Sequence, residues 1–301
     1  MRRHRTWSCV AILTAVVAVG AGQQPPPDGA PPGARQGGQG AQGGQGGGGR
    51  GGNRAGGPPP TARASAPSDM TGYWVSPVTE DWRWRMMTPP KGDYSSVPLN
   101  NEGRRVADSW DLAKDKADGN ECRAFGAAAI TRHPGRLQIT WQDDSTLKIE
   151  TSAGNQTRLL RFAQSQAGAT TAADGERTWQ GTSVAEWRKQ QPVPAFGFGG
   201  RGGGSVAGGN LKVVTTGMRA GYLRTNGVPY SENAVVTEYY YRHTGPRDLE
   251  WLTVTTIVED PTYLAQPFIT STDFRKEPDG SKFTPTPCAV DAPRLATAPP
   301  Q

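Results

Sequence analysis

The sequence predicts an all-β fold: an antiparallel up-and-down meander that closes into a β-barrel of about eight to ten strands, with one flanking α-helix. Three observations predict it. Residues 136–162 repeatedly alternate apolar and polar side chains, with turn-forming residues between the runs. The same pattern returns at 234–242 and 249–258, joined by Thr244-Gly245-Pro246. Strands do not alternate with long helical patterns, as a parallel sheet would require.

Composition sets the boundaries. Gly 40 and Pro 26 are concentrated in two stretches, which leaves room for a single folded domain. Residues 1–22 carry a basic start, an apolar run too short to span a bilayer and small residues near Gly20 to Gly22, the pattern of a cleaved signal peptide. This predicts export, to the periplasm or outside the cell, and no membrane-spanning segment. Residues 23–68 are rich in Gly, Pro and Gln without apolar periodicity and read as a disordered linker. The domain is expected over 69–290, with a flexible Gly-rich loop at 192–210 and a disordered tail at 291–301. Of the 33 basic and 27 acidic residues, seven and one lie in 1–68, so that segment holds the whole net charge of +6. The remaining 26 of each sign cancel, which argues against a nucleic-acid partner for the domain and leaves envelope contact to the N-terminal tail.

Taken in order, residues 70–75 form a first strand around Gly72 and Trp74. Residues 82–87 (WRWRMM) alternate, placing Trp82, Trp84 and Met86 on one face and Arg83, Arg85 and Met87 on the other. Residues 100–117 read as one helix, capped by Asn100 or Asn101 and carrying Val106, Trp110, Ala113 and Ala117 toward the sheet. Leu137, Ile139 and Trp141, then Leu147 and Ile149, then Leu160 and Phe162, mark three strands with turns at Asp143-Asp144-Ser145 and Gly154-Asn155. Residues 179–187 place Trp179, Gly181, Ser183, Ala185 and Trp187 on one face of a further strand. Gly197-x-Gly199-x-x-Gly202 has the spacing of a dinucleotide fingerprint but no strand before it or helix after it, so it implies no cofactor. Residues 211–216 and 268–274 are strands, and Asn226-Gly227 marks a hairpin turn within 221–230.

The Gly72-x-Trp74 arrangement in a first strand resembles the lipocalin and calycin barrels, whose Trp closes one barrel end under a late Arg. The resemblance implies a calycin-like barrel and gives that role to Arg275. The longer phrases TGYWVSPVTEDWRWRM, ITWQDDSTLKIET, NGVPYSENAVVTEYY and TVTTIVEDPTYLAQPF are similar to an uncharacterised family of exported bacterial proteins. That resemblance implies an address and a β fold, and no mechanism.

For chemistry, His133 and His243 are the histidines outside the leader and no ligand spacing appears, so no metal is expected. Export puts Cys122 and Cys288 where such a pair is commonly bridged; two separately buried thiols are the alternative. Inward polar groups in a closed barrel must be paired or line a site. Glu238 and Tyr240 alternate with Tyr239 and Tyr241, and Arg158 or Arg83 supplies a counter-charge. The candidate ligand-lining residues are therefore Trp82, Arg83, Trp84, Glu150, Arg158, Trp179, Glu238, Tyr239 and Tyr240. Three functions compete: binding of a small apolar or aromatic ligand inside the barrel, a non-catalytic envelope interaction protein with a filled core, and a small-barrel isomerase or cyclase using Glu238 or Glu150 with a Tyr.

Overall fold

The structure is a computed structural model and describes residues 59–162, 176–189 and 209–293. The leader, residues 192–208 of the expected flexible loop with its glycine fingerprint, and most of the tail lie outside the described residues, while Gly209 and Asn210, also assigned to that loop, begin a strand. The strands are β1 (Gly72–Val75), β2 (Arg136–Asp143), β3 (Thr146–Thr151), β4 (Thr157–Phe162), β5 (Thr182–Lys189), β6 (Gly209–Thr216), β7 (Gly221–Arg224), β8 (Val228–Tyr230), β9 (Val235–Thr244), β10 (Glu250–Glu259) and β11 (Phe268–Glu277). Nine of them close a barrel in the order β1-β11-β10-β9-β6-β5-β4-β3-β2, and β7 and β8 form a separate hairpin.

The barrel departs from a pure meander in one place. β4 and β5 pair in parallel, Leu160 beside Ser183, so both strands start at the same end of the barrel. Every other barrel pairing is antiparallel, including β6 with β9 across the β7–β8 excursion. The alternation works as two-residue periodicity demands. On β3, Leu147 and Ile149 point inward, while Lys148 and Glu150 form an outer ion pair at 2.8 Å. Asp143 Oδ1 accepts from the Ser145 amide at 2.7 Å and hydroxyl at 2.9 Å, closing the β2–β3 turn. Trp74 is fully buried on β1 and donates from Nε1 to the Met70 carbonyl at 3.0 Å. The cation over its ring is Lys276, at 5.2 Å, rather than Arg275, because Lys276 is the residue in register with Trp74.

The two barrel ends are closed differently. At one end, Trp141, Phe162 and Trp187 cluster, and Trp187 Nε1 donates to the Ala62 carbonyl at 2.8 Å. The Arg63 amide also bonds the Asp144 carbonyl at 3.1 Å, so residues 59–68, assigned by composition to the linker, include a segment packed across this end. At the other end, the long connection from β1 to β2, the β7–β8 hairpin and the β10–β11 loop together build a cap. Its core joins Tyr94, Leu99, Ala107, Met218, Leu223, Val228 and Tyr230 to Val236, Val258 and Phe268 of the barrel.

The cap is where the sequence reading needs correction. Residues 82–87 are not a strand: Trp82–Arg85 is a single helical turn, α1, preceded by Asp81 at φ 50°. The segment gains no ladder partner, and its arginines bond locally instead, Arg83 to Asp93 at 2.7 Å and Arg85 to Ser76 at 2.7 Å. The expected long helix is two, α2 (Asn101–Asp108) and α3 (Leu112–Ala117). Asn100 caps α2 by accepting from the Gly103 amide at 2.8 Å, and Asp111, in extended conformation, caps α3 by accepting from the Ala113 amide at 2.8 Å. An aspartate that serves as a cap breaks the helix at Trp110, whose ring then covers Gly227 in the hairpin turn. Gly227 has φ 79°, and a β-carbon there would fall within the Trp110 ring. Trp179 likewise lies outside β5, which begins only at Thr182 after Gly181 at φ 57°.

After β11 the chain returns along the outside of the barrel. Phe283 packs on Tyr73, and the Thr286 amide bonds the Ser152 carbonyl at 2.8 Å. Cys288 then forms a disulfide with Cys122 of the cap, across 166 residues of sequence. The chain-entropy model gives roughly 5 kcal/mol for so long a loop, reduced by any native strain. A Cys122→Ser/Cys288→Ser variant is expected to lose roughly 2–5 kcal/mol in urea unfolding.

His133 adds an acid sensitivity. Its ring stacks on Phe125 with centroids 4.1 Å apart, and its Nε2 meets the Ala124 carbonyl at 2.7 Å. Burial pushes its pKa from 6.5 down to about 4, against the carbonyl and with help from Arg85 and Arg132. Between those values the unfolded chain holds the extra proton, so acid favours unfolding. Stability should fall as pH drops through this window, by at most about 1.4 kcal/mol per unit, and His133→Phe should flatten that slope.

Candidate functional site

Among the places where polar side chains meet, a layer inside the barrel and a cleft on the cap bear on the expected ligand site. The layer follows from the strand pattern. Ser183, Thr215, Glu238, Thr256 and Thr272 are inward, buried positions on five strands, and Arg158 joins them from β4. Ser183 is in register with Thr215, and Glu238 with Thr256. Above the layer lies the cap core; below it lies an apolar cluster that includes Leu147, Leu160, Leu252 and Phe274.

Arg158 is 2% exposed, Glu238 0% and Tyr240 1%. The guanidinium meets the carboxylate end-on, Nη2 to Oε2 at 2.6 Å and Nη1 to Oε1 at 2.9 Å. Arg158 Nη2 also donates to Thr215 Oγ1 at 3.2 Å, which lies 2.8 Å from Ser183 Oγ. The Tyr240 hydroxyl donates to Glu238 Oε1 at 3.2 Å. Burial alone would loosen the proton on Arg158, but the adjacent Glu238 carboxylate more than offsets it and holds the proton tighter. Burial, then Glu238, pushes the Tyr240 hydroxyl well above its usual range. Each charge is satisfied by the other, so the arrangement supports structure and leaves little free for a ligand.

The remaining candidates do not converge on this layer. Trp82 is exposed. Trp84 and Arg83 lie on α1, with Arg83 paired to Asp93. Trp179 carries Arg219 over its ring at 4.3 Å, outside the barrel strands. Glu150 and Tyr239 occupy outward positions, since the residues beside them in each strand point in. The expected lining by Trp82, Trp84 and Trp179 is therefore replaced by a packed interior of aliphatic side chains with Trp74, Tyr240 and Phe274 around one ion pair.

The cleft has a volume of about 220 Å³ and opens between α2–α3 and the β7–β8 hairpin. Its walls include Val106, Trp110, Tyr222, Pro229, Tyr230 and Tyr263. Asp115, which is buried, organises the polar side: it accepts from Trp110 Nε1 at 3.1 Å, from the Tyr222 hydroxyl at 2.9 Å and from Arg123 Nη1 at 3.1 Å. Burial pushes the Tyr222 hydroxyl up to about 12, with Arg123 opposing and Asp115 adding to the shift. At the rim, Lys114 and Asp118 pair at 2.8 Å. Two polar atoms on lining residues have no partner among the described residues, Arg123 Nε and the Tyr230 hydroxyl. Burial pushes the Tyr230 hydroxyl above its usual range as well.

Sequence reasoning passed over Asp115, Arg123 and Tyr222 because they are scattered over more than a hundred positions. The one local signal was Trp110, an aromatic at a point where an aspartate could cap a new helix. No protein-family model, no curated protein and no solved structure matches this chain.

Removing one partner of the interior pair isolates its role. Glu238→Ala should cost about 3–5 kcal/mol, because it strands a buried guanidinium. Arg158→Met/Glu238→Leu should cost markedly less than that single change in the same urea titration.

Proposed function

We propose that the chain is a binding protein in which the barrel acts as a scaffold and the cap cleft takes one small amphipathic molecule. The apolar or aromatic body would lie against Trp110, Tyr263 and Pro229. The polar end would offer an oxygen to Arg123 or Tyr230. The observation that carries this reading is the pairing of an aromatic cleft with two orphaned polar atoms on its lining residues. Asp115 pairs with Arg123 and Asp118 with Lys114 at the cleft, while Asp111 is engaged in capping α3, which favours a ligand without negative charge.

The same reading places the protein in the periplasm or outside the cell. The leader-like start supports it, as does the Cys122–Cys288 bridge, since disulfides persist in oxidising compartments. The basic N-terminal segment would then be the part that meets the anionic envelope. A second reading, a non-catalytic envelope interaction protein, is favoured by the side-chain packing along the barrel axis.

Native mass spectrometry of the full chain purified from its own envelope tests the two readings. One small molecule per chain is expected, with a change in tryptophan fluorescence when it is titrated back. Arg123→Gln and Tyr222→Phe should each weaken binding roughly tenfold, while Tyr239→Phe on the outer barrel face should not. A bare chain mass and a flat titration with small phenols and aromatic amides would favour the second reading.

A further inference from the structure

On another part of the cap, four arginines gather where the chain after β1 folds over the β7–β8 hairpin. None of them lines the cleft. Arg85 is fully engaged: Nε donates to the Arg132 carbonyl at 2.8 Å, Nη2 to Ser76 Oγ at 2.7 Å and Nη1 to Glu80. Arg83 is engaged by Asp93. Arg132 reaches Asp81 through Nη2 at 2.7 Å, but its Nη1 is buried without an acceptor among the described residues.

Arg224, at the end of β7, is the anomaly. It is 5% exposed, and both Nε and Nη1 are buried without acceptors among the described residues. The carboxylates nearest in its surroundings already serve other groups, Asp81 on Arg132 and Asp93 on Arg83. The Trp84 ring covers its guanidinium, with Cζ 4.6 Å from the ring centroid. Stacking of this kind satisfies the face of a guanidinium and leaves its edge for an acceptor. The next residue of the hairpin turn, Thr225, also buries a hydroxyl without a partner among the described residues. Glu80 is bonded to Arg85, Asp81 to Arg132 and Asp93 to Arg83, so of the four arginines Arg224 alone has no carboxylate bonded to it among the described residues. A buried charge without a counter-ion is strongly unfavourable, and burial with Arg132 alongside lowers the Arg224 pKa to about 10.

We propose that Arg132 and Arg224 form a binding site for a small oxyanion, a phosphate or a carboxylate, beside the Trp84–Arg224 stack. The guanidinium edge matches the spacing and charge of such groups. An oxyanion there supplies acceptors to the orphaned N–H groups and gives Arg224 a counter-ion. The site is independent of the cleft ligand, since neither arginine borders that cavity.

The test uses the full chain with its disulfide intact. Thermal unfolding and tryptophan fluorescence are followed while inorganic phosphate is added in one arm and acetate in another, with sodium chloride holding ionic strength constant. A saturable rise in unfolding midpoint in either arm is expected, and the arm that responds identifies the chemistry of the anion. Arg224→Met keeps the stacked, apolar part of the side chain and removes the charge. It should bind roughly tenfold more weakly or worse, and in oxyanion-free buffer its midpoint should be no lower than that of the parent. Arg188→Met, on the exposed side of β5, should respond as the parent does. Three results would each overturn the proposal: no saturable response in either arm, an undiminished response in Arg224→Met, or an Arg224→Met chain that unfolds earlier or fails to fold without oxyanion.

Discussion

The contact on which the rest of this molecule depends is the buried pair between Arg158 and Glu238. The two residues are 80 positions apart in sequence and come from strands on different sides of the barrel's one parallel junction. Because side chains alternate along a strand, a slip of one residue in β9 would turn Glu238 outward and bring Tyr239 in. That slip would strand the Arg158 guanidinium in an apolar interior. The pair therefore acts less as a source of stability than as a register key, a role for which buried polar groups have precedent. The hydroxyls of Thr215, Ser183 and Tyr240 extend it into a small network, with Arg158 Nε left without an acceptor among the described residues.

The fold was legible in the sequence where the signal was local. Period-two alternation located β2, β3, β9 and β10, Asn226-Gly227 located the hairpin turn, and the inward phase of β9 placed Glu238 with Tyr240. What escaped was non-local. The parallel β4–β5 junction has no sequence signature, because the residues between those strands carry no pattern that reports which end β5 starts from. Residues 82–85 alternate Trp and Arg as a strand would, yet four residues also fit one helical turn, and nothing in the run shows that no partner strand is available. The helix from 100 to 117 read as continuous because Val106, Trp110, Ala113 and Ala117 share a spacing; the capping preference of Asp111 overrode it.

The candidate sites were less legible for the same reason. The interior residues could be named because one strand fixes the phase of all its members. The cleft residues Asp115, Arg123 and Tyr222 sit on three separate cap elements and meet only through tertiary packing. Among the described residues, the cap gathers the β1–β2, β6–β9 and β10–β11 connections at one barrel end. This arrangement is physically reasonable: closed strands constrain side chains tightly, while loops joined at one rim can vary without disturbing the ladder.

The chain enters the described part of the fold beside Trp187 and Asp144, at the end of the barrel away from the cap. Its last described residues reach the cap side through the strap that ends at Cys288. The two ends of the described fold are thus set at opposite poles of the barrel. A tether joined to the fold at Ala62 and Arg63 would therefore meet it at the pole farthest from both the cleft and the arginine cluster.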